Sequence, residues 1–520
     1  MKSINFNDAL LGCKRYNALN AEQLQFISNL NAELEKCEIN NYYKHTVFLK
    51  LFLKEHSDFM HSNKKYLLEC IFDNSSNYKY FQSFFLKKKI SFISVNEWKV
   101  FLKEKSIKID FLKSFIATLL FSFKQVLKSF YFLFKSLINF SNNKFNNFKY
   151  IYFANLEESC IPINSRKKDN FTIIDWYIEN YKNNDFSIKV DSSVNELTTY
   201  KNRKIMMQKN FFNSISLLLK LKFLCLFLII FFESVFFYFI GKKNYLFFLP
   251  EITKYLYFSL MKDEDIPKEI YFSQSDYKYR PLWTYAATRK GSKVILYFYA
   301  ASFDGYLVKE KVYNKIRLGY SNMDWPTVLI WSKDLKNFLE NLSPKSYFKL
   351  TNPIYFSDIK KNQKLPNDAI LVFDITPKRP YFRFLEFQNN NYVVYKNLEK
   401  FLLDIISICN KNNFNVVLKP HKNFEEKYYD TRYKNFLRKH KKNIFILDSK
   451  SSPYEIIKKY NFSISFPWTS TPLISDFYNK KCIYYDASGT LSSTDRGRQG
   501  TEFVNNEKDL EELIKKYYIK

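Results

Sequence analysis

Lys419, His421, Ser451, Ser452, Thr469, Ser470 and Thr471 carry the side chains of this chain best suited to act on one ligand. They follow three short apolar runs, Asn415 to Leu418, Asn443 to Leu447 and Phe462 to Phe466. Runs of that length suit strands of a parallel sheet buried on both faces. Open parallel sheets bind ligands beyond the carboxyl ends of their strands, so these residues are expected to ring one crevice. A cation, an imidazole and hydroxyls at helix starts suit a phosphate-bearing ligand. Asp374 and Thr376 end a fourth run, Ala369 to Asp374, and reach the crevice by the same rule; the plainer reading of that segment is a turn.

Among the five histidines, His421 alone follows an expected strand; His45, His56, His61 and His440 sit in polar helical surroundings. At a strand end it can donate a hydrogen bond to a phosphate and stabilise charge on a departing group. The bland alternative is a solvated loop histidine. For Thr469 to Thr471 the bland alternative is ordinary helix capping, which is compatible with anion binding. Asp486, Asp495 and Arg496 follow the run Cys482 to Tyr485, expected as the last strand, where they either reach the ligand or stay in a loop.

Alternating strand and helix patterns must position these groups. In the C-terminal part, 369–520, the alternation predicts a parallel sheet. A first αβ domain, 146–356, is expected from Tyr150 to Ala154, Glu269 to Ser273, Val294 to Tyr299, Thr327 to Trp331 and Tyr347 to Leu350. A polar linker, 357–368, separates the two. The apolar stretch 217–240 interrupts the first domain; eighteen residues from Phe223 barely reach spanning length and contain Glu233. Residues 1–110 read as helical, without a chemical motif.

Residues 111–145 read as a basic amphipathic helix on a membrane surface. Lys113, Lys124, Lys128 and Lys135 fall on a stripe about 60° wide at helical pitch, among Phe, Leu and Ile. Such a helix fits an anionic bilayer; a core helix with a solvated lysine edge is the alternative. The formal net charge is +30, part of which an A/T-rich genome would produce through its lysine codons. Neither zinc-finger spacing nor Arg-Gly clustering accompanies it, so nucleic acid is not an expected partner. Seven scattered cysteines without a CxxC argue for reduced thiols in a cytosolic setting. The first residues lack a signal-peptide core. Gly-rich nucleotide fingerprints and paired metal-binding carboxylates are missing from the sequence, so neither a bound cofactor nor a metal is expected.

Residues from about 270 to 520 resemble the bacterial polysaccharide-biosynthesis family named for a Pro-Phe-Thr-Ser motif. The motif stands here as Pro467-Trp468-Thr469-Ser470, with Trp in place of Phe. The layout is also similar to transferases using CMP-activated ulosonic acids of the Kdo and sialic acid type, which place a His-Pro pair near the donor phosphate; here the order is Pro420-His421. The resemblance implies two facing Rossmann-like domains of glycosyltransferase B architecture. It implies a membrane-associated, metal-independent, inverting glycosyltransferase at the cytoplasmic face of the bacterial inner membrane, acting on a surface-polysaccharide or lipid-linked acceptor. The donor would be a nucleotide sugar, with CMP favoured, bound by Lys419, His421, Ser451, Ser452, Thr469, Ser470, Thr471, Asp374 and Thr376. Catalysis would need His421 and one base from the N-terminal domain, with Asp304, Asp276 and Glu158 as alternatives. Two other readings stand beside it: a teichoic-acid-type glycerol- or ribitol-phosphate transferase, and a non-catalytic membrane protein that binds polysaccharide intermediates.

Overall fold

The structure is a computed structural model. It describes residues 102–138, 150–154, 172–181, 186–191, 196–208, 215–274, 280–298, 325–342, 345–354, 365–367, 369–377, 392–421, 430–449 and 451–518, with isolated positions between them. Most of the expected helical region 1–110 and of the linker 357–368 lies outside the described residues.

The N-terminal domain runs α1 (Phe111–Ile138), β1 (Tyr150–Ala154), α2 (Ile173–Asn180), β2 (Ser187–Asp191), β3 (Glu196–Tyr200), β4 (Arg203–Gln208), α3 (Leu217–Phe239), α4 (Asn244–Leu260), β5 (Glu269–Gln274), α5 (Trp283–Arg289), β6 (Lys293–Phe298), β7 (Thr327–Ile330), α6 (Lys333–Leu342) and β8 (Tyr347–Leu350). Among the described residues its eight strands are ordered β3-β4-β2-β1-β5-β6-β7-β8, with β3 antiparallel to β4 and the other pairs parallel. Every residue of β1 is buried, as a strand covered on both faces must be. On one face Ile151 and Phe153 pack with Trp176 and Tyr177 of α2. A capping box starts α2: the Thr172 hydroxyl accepts from Asp175 N, and the Asp175 carboxylate accepts from Thr172 N at 2.7 Å.

On the other face lies α4, buried nearly all round, with Leu249, Ile252 and Leu256 against the sheet. A helix apolar on every side is stable only as a middle layer. Outside it, α1 and α3 form a second helical layer. Lys220 of α3 is buried and donates Nζ to Leu137 O at 2.8 Å, capping the last turn of α1 with a cation.

The C-terminal domain runs β9 (Ala369–Phe373), α7 (Tyr395–Lys411), β10 (Asn415–Lys419), α8 (Thr431–Lys439), β11 (Ile444–Ile446), α9 (Pro453–Ile457), β12 (Phe462–Ser465), α10 (Thr471–Phe477), β13 (Lys481–Tyr485), β14 (Glu502–Val504) and α11 (Glu507–Tyr518). Among the described residues the six strands all pair in parallel, in the order β11-β10-β9-β12-β13-β14. Counted from β9, that is the 3-2-1-4-5-6 order of a Rossmann sheet. The two domains share one apolar cluster: Ala301 and Trp331, beyond β6 and β7, pack with Phe373, Leu447 and Ile474. The carboxyl ends of the two sheets therefore face each other.

The expected strands form where the apolar runs stand, within a residue or two. Tyr485 does not end the sheet as expected: β14 follows and pairs with β13 from Ile483↔Glu502 to Tyr485↔Val504. Its three residues are too short to register as a run. The strands β2 to β4 were also not expected, because Lys189, Glu196, Arg203 and Lys204 interrupt the apolar pattern.

Candidate functional site

The strand order of the C-terminal sheet reverses between β9 and β12, and the crevice of a Rossmann sheet opens at that reversal. Phe466 N donates to Phe373 O at 2.8 Å, which ties the two strand ends together. Asp374 to Pro377 leave β9 on one side, and Pro467 to Thr471 leave β12 on the other. The Pro467–Trp468 peptide is cis.

Hydroxyls line the β12 side. Ser465 Oγ lies 2.6 Å from Thr471 Oγ1, which lies 2.7 Å from Thr469 Oγ1. Tyr484 donates its hydroxyl to Thr469 O. On the β9 side Thr376 is buried, and among the described residues its Oγ1 has no hydrogen-bond partner. Trp331 Nε1 and Gln499 Oε1 share that condition. Gln499 donates Nε2 to Ala301 O at 3.0 Å, and Trp331 packs in the cluster that holds Ala301 and Phe373. Trp331 and Gln499 thus belong to the seam between the domains, while Thr376 stands just past the end of β9. Buried polar groups are nearly always paired, because an unpaired one costs about 1–3 kcal/mol. Unpaired polar atoms at the seam and just past β9 suit a polar ligand, although Gln125 Oε1, away from the seam, is unpaired too.

The β10 side is organised by Asp374. Its Oδ1 accepts from His421 N at 3.0 Å, and its Oδ2 accepts from the Tyr433 hydroxyl. Asp374 thus sets the backbone that presents His421, whose imidazole is exposed. Burial pushes the Asp374 carboxyl up to about 6, against the pull of the Tyr433 hydroxyl, the Lys419 charge and the His421 amide. Lys419 itself is buried and donates Nζ to Pro420 O and Ser449 O, each at 2.8 Å. It holds the β10 and β11 loops together.

A second carboxylate, Asp495, joins the motif to the other domain. It is 2% exposed. Its Oδ2 accepts from Trp468 Nε1 at 3.1 Å and from Leu307 N at 2.6 Å, and its Oδ1 accepts from Gly497 N at 2.8 Å. Phenylalanine, the residue of the motif's name, has no N–H for this carboxylate; tryptophan supplies one. Gly497 is required by contact, since a Cβ there would stand 2.7 Å from Trp468 Cγ. Nearby, Ser470 Oγ accepts from Ala301 N at 2.9 Å. Ser470 and Gln499 thereby engage both backbone polar groups of Ala301. Backbone bonds Lys309 N to Thr490 O (2.9 Å) and Ser492 N to Leu307 O (2.8 Å) complete the join.

Several expected site residues come together at the reversal: Asp374, Thr376, Thr469, Ser470, Thr471 and His421 follow β9, β12 and β10, which are neighbours. Ser451 and Ser452 do not join them. They are buried beyond the edge strand β11, three strand spacings or about 14 Å from β12. Asp486 is also spent inside the fold, accepting from the Tyr392 hydroxyl, Ser488 N and Leu491 N. Asp304, Asp276 and Glu158 lie outside the described residues. Trp331, Tyr433 and Gln499 were not expected. A signal for the Gln499 loop exists: three of the chain's eight glycines, Gly489, Gly497 and Gly500, fall within it.

Two Rossmann-like domains meeting at their carboxyl ends, with the crevice at the reversal point of the second, define the glycosyltransferase B architecture. The sequence profile of the family described as polysaccharide biosynthesis PFTS motif protein matches residues 231–514, more than half of the chain, and the chain belongs to that family. No curated protein matches it. Among solved structures it is similar to a wall teichoic acid polymerase, at 10% identity over 76% of this chain and 88% of that one, with a TM-score of 0.36. It is similar to a lipopolysaccharide outer core galactosyltransferase in its apo form, at 12% identity over 71% and 90%, with a TM-score of 0.34. It is also similar to the UDP-GlcNAc 2-epimerase of Methanocaldococcus jannaschii, at 11% identity over 52% and 75%, with a TM-score of 0.30.

Two outcomes follow from this geometry. Gly497→Ala drives a methyl group into an indole that Asp495 holds in place, and should cost about 1–3 kcal/mol in chemical denaturation. Unchanged stability would mean that the Trp468–Asp495 join is loose. Asp374 gives a pH dependence. An exposed aspartate titrates near ~3.9, so the folded state holds the Asp374 proton more tightly than the unfolded state does. This contribution is fully present below about pH 4 and is lost as pH rises through about 6. The stability difference between wild type and Asp374→Asn should therefore shrink across that window, measured by denaturation at each pH. A flat difference would place Asp374 in contact with solvent.

Proposed function

We propose that this protein is a glycosyltransferase that moves a sugar from a nucleotide donor onto a surface-polysaccharide or lipid-linked acceptor at the cytoplasmic face of the bacterial inner membrane. One observation carries the reading. The Pro-Trp-Thr-Ser loop and the buried, unpaired Thr376 hydroxyl flank the reversal point of a Rossmann sheet, where such sheets hold nucleotides.

In this reading the donor phosphate lies among Thr376, Thr469, Thr471 and the His421 imidazole. The acceptor hydroxyl oxygen attacks the anomeric carbon. The bond from that carbon to the phosphate oxygen breaks, and its electron pair leaves with the nucleotide. A carboxylate of the N-terminal domain takes the hydroxyl proton; Asp304, Asp276 and Glu158 are the candidates. A single displacement of this kind inverts the anomeric centre. His421 and the hydroxyls stabilise the leaving phosphate in the role that a metal has in other transferases. The similarity to ulosonic acid transferases favours a CMP-activated sugar.

A thermal-shift series with CMP, CDP, UDP, GDP, CMP-sugars and CDP-glycerol tests the donor class. A ligand at a hundred times its dissociation constant stabilises the folded state by about 2.7 kcal/mol. CMP should do so; a response to CDP-glycerol without one to CMP-sugars would favour phosphate-alcohol transfer, and a response to no nucleotide would overturn the reading. His421→Ala should lower turnover by roughly 100-fold with folding intact. Wild-type turnover in that variant would remove His421 from the site. Thr376→Val separates ligand binding from structure. It deletes an unpaired buried hydroxyl, so the unliganded protein should be as stable as wild type or more so, while nucleotide affinity falls by about 1–2 kcal/mol. Loss of stability with unchanged affinity would assign that hydroxyl to the fold.

A further inference from the structure

The outer helical layer is built inside out. On α1 the residues turned to the protein are Ser114, Thr118, Ser122, Gln125, Ser129 and Ser136, together with Phe132 and Leu133. The bulky residues Phe115, Leu119, Phe123, Leu127 and Phe134 are exposed, each by 47–59%. A helix on a water-soluble protein arranges these the other way. The inward hydroxyls need no water: Thr118 donates to Ser114 O at 2.7 Å, Ser122 to Thr118 O at 2.8 Å and Ser129 to Gln125 O at 2.9 Å. Small residues facing a neighbouring helix, with self-satisfied hydroxyls, are the packing habit of helices in lipid.

The second helix of the layer, α3, shows the same exposure. It buries a narrow row, Phe223, Phe227, Ile230 and Ser234, and leaves Ile229, Phe232, Phe236 and Phe239 outside. Phe130 of α1 meets Phe227 and Phe231 of α3 at 5.1 Å between ring centroids, so the two exposed faces belong to one layer. Both helices are long and apolar enough to cross a membrane.

The lysines decide the orientation of α1. At about 100° per residue, the inward row covers an arc of roughly 100°, the bulky face fills roughly the next 120°, and the four lysines lie on the remaining side, between the bulky face and the inward row. From Lys113 to Lys135 they extend over about 33 Å of helix. A crossing helix would put Lys124 and Lys128 at mid-bilayer, at about 2.5–3.5 kcal/mol each. A helix in the membrane plane puts all four at headgroup depth, and no acidic residue from Phe111 to Tyr150 opposes an anionic surface.

We infer that the α1–α3 layer is a lipid-docking surface, with α1 lying in the plane of an anionic bilayer. The inference is independent of the donor site, which lies in the other domain. The test uses the full chain with one labelled cysteine at Ile116→Cys, Phe123→Cys or Phe134→Cys, three exposed positions that share one azimuth within about 20°. Buried Cys409 and Cys482 stay, and the remaining cysteines become Ser. An environment-sensitive fluorophore at each site is read in phosphatidylglycerol vesicles, with quenchers placed at known depths. The expected result is equal, shallow depth at the three positions. A deepest Phe123 site with both ends near headgroups would show a crossing helix and overturn the in-plane orientation. Labels shielded equally without vesicles would show that protein, a second copy or this chain itself, covers the face, and would overturn lipid docking. Lys124→Gln with Lys128→Gln should weaken binding to phosphatidylglycerol vesicles by roughly 30-fold and leave weak binding to phosphatidylcholine unchanged. Equal binding of wild type and this variant to both lipids would also overturn it. A thermal transition like that of wild type confirms that each variant is folded, so these outcomes are read apart from any result at the donor site.

Discussion

One buried carboxylate holds the site together. Asp495 accepts N–H groups from the motif indole, from its own loop at Gly497 and from Leu307 of the opposite domain. A polar group this deep is tolerable only when hydrogen bonds replace the water it has lost. That requirement fixes three things together: the aromatic residue after Pro467 must carry a donor, residue 497 must lack a side chain, and the Leu307 backbone must approach. The motif thus links the two domains as well as lining the crevice. Its Ser470 binds Ala301 and is occupied at the seam, leaving Thr469 and Thr471 as its hydroxyls nearest the reversal point.

The rest of the protein can be arranged around that seam. The C-terminal sheet brings Asp374, Thr376 and His421 to neighbouring strand ends, and Asp374 fastens the His421 backbone. The N-terminal sheet supplies Ala301 and Trp331 at its own carboxyl edge. Behind that sheet, α4 separates the catalytic layers from an outer helix pair whose exposed surface is apolar. The proposed lipid-docking layer on one domain and the proposed nucleotide site on the other form a consistent division of labour for the proposed transfer.

Much of this was legible in the sequence, for definite reasons. Buried parallel strands are short unbroken apolar runs, so β9, β10, β12 and β13 stand out, and with them the residues at their ends. The lysine periodicity of α1 was legible because one helix face has one period. What sequence could not show was competition for the same polar atoms. Lys419 looks like a phosphate ligand until two carbonyls occupy its ammonium, and Ser470 looks like one until Ala301 takes its oxygen. Ser451 and Ser452 satisfy the strand-end rule, but the order of strands, which no local pattern encodes, puts them on the far edge. The inward row of α1 was hidden for a similar reason: serines on an apolar helix read as its solvent face until α4 is seen against them.

The central claim is that the nucleotide lies at the reversal point between β9 and β12. A crystal structure of the protein soaked with CMP tests it most directly. The account predicts the phosphate within hydrogen-bond distance of Thr376 and of Thr469 or Thr471, with the His421 side chain turned toward it. Phosphate density beside Ser451 and Ser452, or at the carboxyl edge of the N-terminal sheet with the crevice unfilled, would contradict it.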